Sequence, residues 1–352
     1  MMHEHMKGWL EADHKVTLFS SEYPGSVSKE VLDGVRIVRG GSQYLGVQFE
    51  GFKYYLANKE QFDLVVDQFH GIPFFTPLYV KKPILAVLQE VAGKVWLKND
   101  LPWPLNWVVG LVGYLTEPLV FLFYKKTPFM VGSNSAREDL VKMKIPNKHI
   151  TIVPHGVILP NKILQYPKEK VKTILFFGAV SKDKGIDDAL EVFSLLNKKN
   201  EYQFWIAGRV SEYYRHLIRR RAKELDMSAN LKTWLGFVSD DKKFELMSKA
   251  HVLINPSVKE GWGLVNIEAN AMGTPVVAYK LPGLIDSVKQ GVSGLLSESI
   301  TSQGLTRLVE ELLRDIKKYE TCCASARVWS QNFTWDKSKK LSLELLEKCL
   351  NT

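Results

Sequence analysis

The chain has 352 residues, 45% of them hydrophobic and 24% charged, with a formal net charge of +9. That length exceeds what one hydrophobic core usually organises, so two domains are expected, and the composition excludes a disordered or low-complexity chain. Cys322, Cys323 and Cys349 offer neither a disulfide framework nor a zinc spacing, and MMHEHMKGWL lacks the apolar core of a signal peptide, which together predict a cytoplasmic protein.

In chain order, the β-rich runs of the first half are HKVTLFS from His14, VRIVRG from Val35, FDLVVDQ from Phe62, KPILAVL from Lys82 and HITIVPH from His149. The apolar segment Leu105 to Phe123 is nearly long enough to cross a bilayer. Glu117-Pro118 interrupts it and Asn106 and Thr116 add polarity, so it is expected to be a buried helix of the first domain. A membrane-surface or hydrophobic-acceptor role is the second reading, favoured by Trp96, Trp103 and Trp107 beside it. From His155 to Lys172 two prolines and several lysines show no period, which suits a linker, and the domains are expected to meet near residue 165. The second half continues with KTILFFGA from Lys172, YQFWIAG from Tyr202, HVLINPS from His251 and TPVVAYK from Thr274. Short strands alternating with helical stretches mean parallel sheets with crossover helices. Ligands of such sheets bind beyond the carboxyl ends of the strands.

The most informative stretch is KEGWGLVNIEANAMGTPVVAY, from Lys259 to Tyr279, which follows the apolar run HVLINPS. It reads as a strand, a glycine turn and a helix from Leu264, and the unpaired amides of Gly261, Trp262, Gly263 and Leu264 there favour an anion such as a diphosphate. Glu260 and Glu268 bracket the turn, separated by seven residues. Glu268 shares the helix face of Leu264 and Met272 and needs donors there; a ribose diol supplies two hydroxyls. A lone pair of glutamates would read as an ordinary strand-turn-helix with solvated ends. The added Gly-x-Gly turn and the Ala-x-Ala-x-Gly-x-Pro helix end favour a ligand site.

At these residues the chain resembles the retaining, metal-independent GT-B glycosyltransferases that include bacterial glycogen synthases and phosphatidylinositol mannosyltransferases. ILFFGAVSKDKGIDDAL, WIAGRV, WLGFVSDDKKFELMSKAHVLINPS, GLIDSVKQGVSGLL and FTWD at Phe333 follow in the family's order. The resemblance implies two Rossmann-like domains with parallel sheets facing across a cleft. Residues 1–165 would form the acceptor side, 166–335 the nucleotide-sugar domain, and 336–352 a helix returning to the first. It also implies that Glu268 binds the donor ribose, that Glu260 and Lys184 act at the transferred sugar and its diphosphate, and that Gly178, Ala179, Arg209 and Phe237 line the donor site. No cofactor or metal is expected.

The chain departs from the family at three places. Residues Met1 to Asp13 can only be the family's first helix, so the opening strand and glycine loop are absent from this sequence and the flanking strands should carry unpaired backbone groups; either the true start lies upstream of Met1 or the first domain is degenerate. Ala179 stands where an arginine is common, with Arg209 or Lys182 as substitutes. Gln89 stands where a histidine often faces the sugar, and His70 and His155 are the other loop histidines on the acceptor side.

The resulting expectation is transfer of a sugar from a UDP- or GDP-linked donor to a hydroxyl of a glycan or lipid-linked acceptor, with retention, in glycolipid or polysaccharide assembly. The alternative is a degenerate relative that binds a nucleotide or a partner without turnover. Peripheral contact with the inner face of the cell membrane suits the basic charge. No nucleic acid is expected, because the run Arg219-Arg220-Arg221 lacks interleaved aromatics and the other basic residues are scattered.

Overall fold

The computed structural model describes residues 1–43, 46–69, 72–98, 103–159, 166–198, 201–227, 229–258 and 260–351. Its first half contains α1 (Met2–Glu11), β1 (Thr17–Ser20), β2 (Lys29–Leu32), β3 (Val35–Arg39), α2 (Gly46–Asn58), β4 (Val65–Phe69), β5 (Ile84–Leu88), α3 (Leu105–Phe123), β6 (Phe129–Val131), α4 (Asn134–Lys142) and β7 (Ile150–Ile152). Then come β8 (Lys172–Phe177), α5 (Ile186–Asn197), β9 (Tyr202–Gly208), α6 (Glu212–Glu224), β10 (Leu231–Leu235), α7 (Asp240–Lys249), β11 (Val252–Asn255) and α8 (Leu264–Ala271). The chain closes with β12 (Val276–Tyr279), α9 (Leu284–Ser287), β13 (Gly294–Ser297), α10 (Ser302–Arg314), α11 (Ile316–Ser330) and α12 (Trp335–Leu350). These elements form two compact units: Met1–Gly156 with Trp335–Thr352, and Val157–Thr334.

The second unit is a six-stranded, wholly parallel sheet in the order β10-β9-β8-β11-β12-β13. Its central strands are apolar on both faces because helices cover both, and Ile174, Phe204, Ile254 and Val277 are fully buried. α5 places Ile186, Ala189, Leu190, Phe193 and Leu196 on one buried stripe at helical spacing. Ser211, Ser239 and Thr301 accept the amides of Tyr214, Lys242 and Gly304 and so start α6, α7 and α10. The strand order reverses between β8 and β11. Loops leaving the carboxyl ends of those two strands therefore diverge and leave a crevice, which positions the site described below.

The first unit holds two sheets, a parallel β4-β5-β6-β7 and a three-stranded β1-β3-β2. β1 and β3 run parallel, while β2 and β3 form a hairpin through Asp33 and Gly34, both at positive φ (48° and 84°). Among the described residues β1 pairs only with β3 and β4 only with β5. Side chains of both strands, Leu18 and Val66 among them, nevertheless pack in one cluster with Met6 and Trp9 of α1 and Leu346 of α12. Trp9 Nε1 donates to Ser342 Oγ at 3.2 Å within that cluster. The expected first-helix residues form α1.

Leu105–Phe123 is a helix, as read, but it is not the buried helix expected. Trp107, Val108, Val112, Leu115 and Leu119 are all more than half exposed. Only a narrow stripe through Gly110, Glu117 and Phe121 is buried. Glu117, the residue that argued against lipid, turns inward and accepts the amides of Ala92 and Gly93 at 2.8 and 2.7 Å. A helix pattern that is apolar all round leaves the buried face to be chosen by the tertiary contacts.

The expected joint near residue 165 falls on residues 160–165, outside the described residues. Val157 already pairs with Thr334 and packs in a cluster of the second unit. Lys168 Nζ donates to Ala250 O and Thr274 Oγ1, both at 2.6 Å, in the same unit.

Candidate active site

The turn after β11 and the start of α8 are held by a buried polar relay. Asn255 Nδ2 donates to Asn266 Oδ1 at 2.8 Å, Asn266 Nδ2 donates to Ser287 Oγ at 2.9 Å, and Ser287 Oγ donates back to Gly283 O at 3.1 Å. Asn266 and Ser287 are fully buried. The relay ties the end of β11 to α8 and α9, so the first turn of α8 has little freedom. Gly263 caps α8 at φ +72°, and a Cβ there would lie 2.6 Å from Ser287 Oγ, so only glycine lets the relay close. The first amides of α8 lack intrahelical acceptors and, with the helix dipole, form a site for an anion.

Lys184 reaches this turn from the loop after β8. Its Nζ lies 2.9 Å from Glu260 Oε2, across the reversal of strand order. The loop is fastened to the end of β11 by Val258 N–H donating to Asp183 O at 3.1 Å. Gly185, at φ +74°, packs so tightly on Pro256 that a Cβ would lie 2.1 Å from its carbonyl oxygen. Both side chains of the pair are partly accessible, at 30% for Lys184 and 17% for Glu260, so a ligand can reach them. An anion reaching this turn would compete with Glu260 for the ammonium and free its carboxylate.

Glu268, in the second turn of α8, does face inward, and its partner comes from α7. Lys243 Nζ lies 2.9 Å from Glu268 Oε1 and 3.0 Å from Asp240 Oδ1. Burial raises the Glu268 carboxyl above its ordinary range and Lys243 pulls it back. Burial works against the Lys243 ammonium, but Glu268 and Asp240 together hold it above its usual value. An inward carboxyl group paired with one lysine has lone pairs left for other donors, such as hydroxyls.

The remaining donor-side residues fall into two groups. Gly178, Ala179, Arg209 and Phe237 lie at the carboxyl ends of β8, β9 and β10, joined by Gly178 N–H to Ala207 O and Gly236 N–H to Gly208 O at 3.0 and 2.9 Å. Ala179 and Arg209 are exposed, and Phe237 is 86% exposed. Trp262 differs: its side chain packs with Val157, Ile267 and Phe333, its ring 5.4 Å from that of Phe333. What Trp262 presents to the turn is its backbone. The arginine run of α6 is a solvated face in which Arg220 and Arg221 pair with Glu224.

In the first unit, Gln89 follows β5 and His155 follows β7. His155 Nε2 is 2.5 Å from Gln89 Oε1, drawn with the imidazole donating. His155 is buried beside His5 and Trp335, with ring centroids 6.3 and 6.4 Å away. Burial, then the charges of His5 and the N-terminus, lower its pKa to about 3, so it is neutral and orients Gln89. His70 lies outside the described residues.

Lys243, Asn255, Asn266 and Ser287 were not legible as site residues. DDKKFELMSK reads as an ordinary solvated helix, and only the fold brings its second lysine to Glu268. The asparagines carry a weak signal: both occupy positions in apolar runs, where an amide needs a partner.

Residues 161–329 match the family model described as Glycosyl transferases group 1. An uncharacterized glycosyltransferase of Methanocaldococcus jannaschii is 27% identical over 53% of this chain and 50% of its own length. The chain spans about half or less of the length of the curated relatives it matches. In structure it is similar to a glycosyltransferase from Rickettsia africae ESF-5, with a TM-score of 0.77 and 16% identity over 99% of this chain and 93% of that one. It is also similar to HepE of Anabaena in complex with UDP, with a TM-score of 0.68 and 16% identity over 89% and 86%. The chain thus has a GT-B fold, and its residues 161–329 match the model of the glycosyl transferases group 1 family.

Proposed function

We propose that the protein is a retaining glycosyltransferase that moves a sugar from a UDP- or GDP-linked donor to a hydroxyl of a glycan or lipid-linked acceptor. The observation that carries this is the pairing of Lys184 with Glu260 at the first turn of α8, with Glu268 turned inward one helical stretch later. The α8 amides and Lys184 hold the diphosphate, and Glu268 accepts from the ribose hydroxyls. As the bond from the anomeric carbon to the diphosphate oxygen breaks, the electron pair leaves on the phosphate. Lys184 and the helix-terminal amides stabilise that charge, which removes the need for a divalent metal. The acceptor oxygen bonds to the same face of the carbon and its proton passes to the departing phosphate. Glu260, released from Lys184, orients the sugar and stabilises positive charge developing at the carbon. HepE in complex with UDP supports a uridine donor. WaaG, described as involved in lipopolysaccharide biosynthesis, supports a glycolipid or polysaccharide acceptor.

Ala179 in place of an arginine favours a second reading, nucleotide binding without turnover. One experiment separates them. Donor sugars labelled at the anomeric carbon are incubated with the protein and candidate acceptors, and NMR follows the carbon. A product of unchanged configuration supports retention and an inverted one refutes it. Tight nucleotide binding with neither transfer nor hydrolysis supports the second reading.

A further inference from the structure

The helix α3 carries a surface that the transfer chemistry does not use. Around its axis Trp107, Val108, Leu111, Val112, Leu115 and Leu119 form an exposed arc with no charged side chain. The helix is apolar and long enough to cross a membrane by composition alone, with a mean hydropathy of 1.5 over its best window. Its tertiary contacts forbid crossing. Gly113 lies against Trp96, where a Cβ would come within 2.3 Å of the indole. Phe121 packs between Phe69 and Phe129. Tyr124, just past the helix, is fully buried and its hydroxyl donates to Asp67 at 2.6 Å. One stripe is thus packed on the first unit from Gly110 to Phe121, and the chain re-enters the sheet at β6 soon afterwards. A helix fixed this way cannot be ringed by lipid.

We propose that α3 lies in the plane of an anionic bilayer, with its exposed arc seated at the boundary between headgroups and acyl chains. Three features select a bilayer over a protein groove. The described helix carries no charged side chain along the arc, of the kind that rims a protein interface. Trp103 and Trp107, 81% and 67% exposed, stand at one end, and indoles favour the depth of the headgroups. Lys125 and Lys126, both exposed, stand at the other end, where ammonium groups meet lipid phosphates. The surface lies in the first unit and rests on none of the donor-site residues.

The test is flotation with vesicles of phosphatidylcholine containing about one third phosphatidylglycerol, against phosphatidylcholine alone. The wild-type chain is expected to float with the anionic vesicles. A variant carrying Val112→Glu, Leu115→Glu and Leu119→Glu is expected to lose about tenfold or more of that partition. Those three positions are 54%, 61% and 57% exposed, so its melting temperature and its nucleotide binding should match the wild type. Lys125→Gln with Lys126→Gln should weaken binding to the anionic vesicles and reduce its sensitivity to salt. A folded, monomeric wild type that stays with the buffer overturns the proposal, as does a triple variant that floats unchanged. A wild type that ignores vesicles but dimerises in sedimentation velocity, with the triple variant monomeric, also overturns it and assigns the arc to a second copy. Vesicle binding without nucleotide binding would leave the membrane surface standing and sink the transferase instead.

Discussion

Replacing Glu268 by alanine tests the donor site most directly. The carboxylate is 16% accessible and held by Lys243 at 2.9 Å, and Lys243 keeps Asp240 at 3.0 Å when Glu268 is gone. The cation is therefore not stranded, and the fold should lose little. What disappears is the acceptor for a ribose hydroxyl. A hydrogen bond to a charged group contributes about 1.5–3 kcal/mol, so the loss of one predicts about 10- to 150-fold weaker binding of the nucleoside diphosphate. Titration calorimetry with UDP, GDP and ADP measures this, and the 2′-deoxy form of whichever binds best supplies the control. Wild type should bind the deoxy ligand more weakly, and Glu268→Ala should barely distinguish the two. An alanine variant that binds as tightly as wild type, or one that still discriminates against the deoxy ligand to the wild-type extent, would refute the assignment of Glu268 to the ribose.

Lys184→Met removes the cation that faces the diphosphate, and turnover should fall about 10²- to 10³-fold while the melting temperature stays close to wild type; a steady-state assay with and without EDTA checks this and tests for metal independence at once. Asn266→Leu breaks a fully buried relay and leaves Asn255 and Ser287 without its amide, so stability should drop by about 2–4 kcal/mol, read as a shift in the urea midpoint. Acid should destabilise the fold early. Burial lowers His5 and His251 to about 4 and His155 to about 3. His251 Nδ1 accepts the Thr173 amide at 3.0 Å, which the protonated ring cannot do. Below the ordinary histidine value near 6.5 the unfolded chain binds protons that the folded one refuses, so these groups leave stability intact above that pH and erode it below. The slope is about 1.4 kcal/mol per pH unit for each histidine, down to about pH 4. Denaturant midpoints between pH 7 and 5 should fall, and His5→Leu should flatten the curve; a flat wild-type profile refutes the buried neutral histidines.

Local signals carried far in this chain. Each of the nine apolar runs read as strands is one, and ILAVL, ILFF, FWIA and VVAY supply the four or more consecutive apolar residues of a strand buried on both faces. Four short strands escaped. β2 is mostly exposed and relies on the Asp33–Gly34 turn, β6 has three residues behind a long apolar helix, and β10 and β13 are only partly buried. A strand of that kind is stabilised by its neighbour more than by its own pattern. The turn before α8 and its two glutamates were legible because the chemistry there depends on spacing within one contiguous segment. Lys243 was not, since a lysine on a helix shows nothing of what faces it.

The sequence by itself determined the two α/β units, the glycine turn at the head of α8 and the placing of Glu260 and Glu268 around it, which follow from periodicity and short-range spacing, while Lys184 came from the family resemblance of its loop. Only the tertiary structure decided what those groups meet. It sets Lys184 against Glu260 across the reversal of strand order, joins Lys243 to Glu268, and closes the Asn255–Asn266–Ser287 relay. It also turns Glu117 inward so that the apolar arc of α3 faces out. The physical reason is the same in each case: partners far apart in the chain are selected by packing, and a side chain's own position carries no record of them.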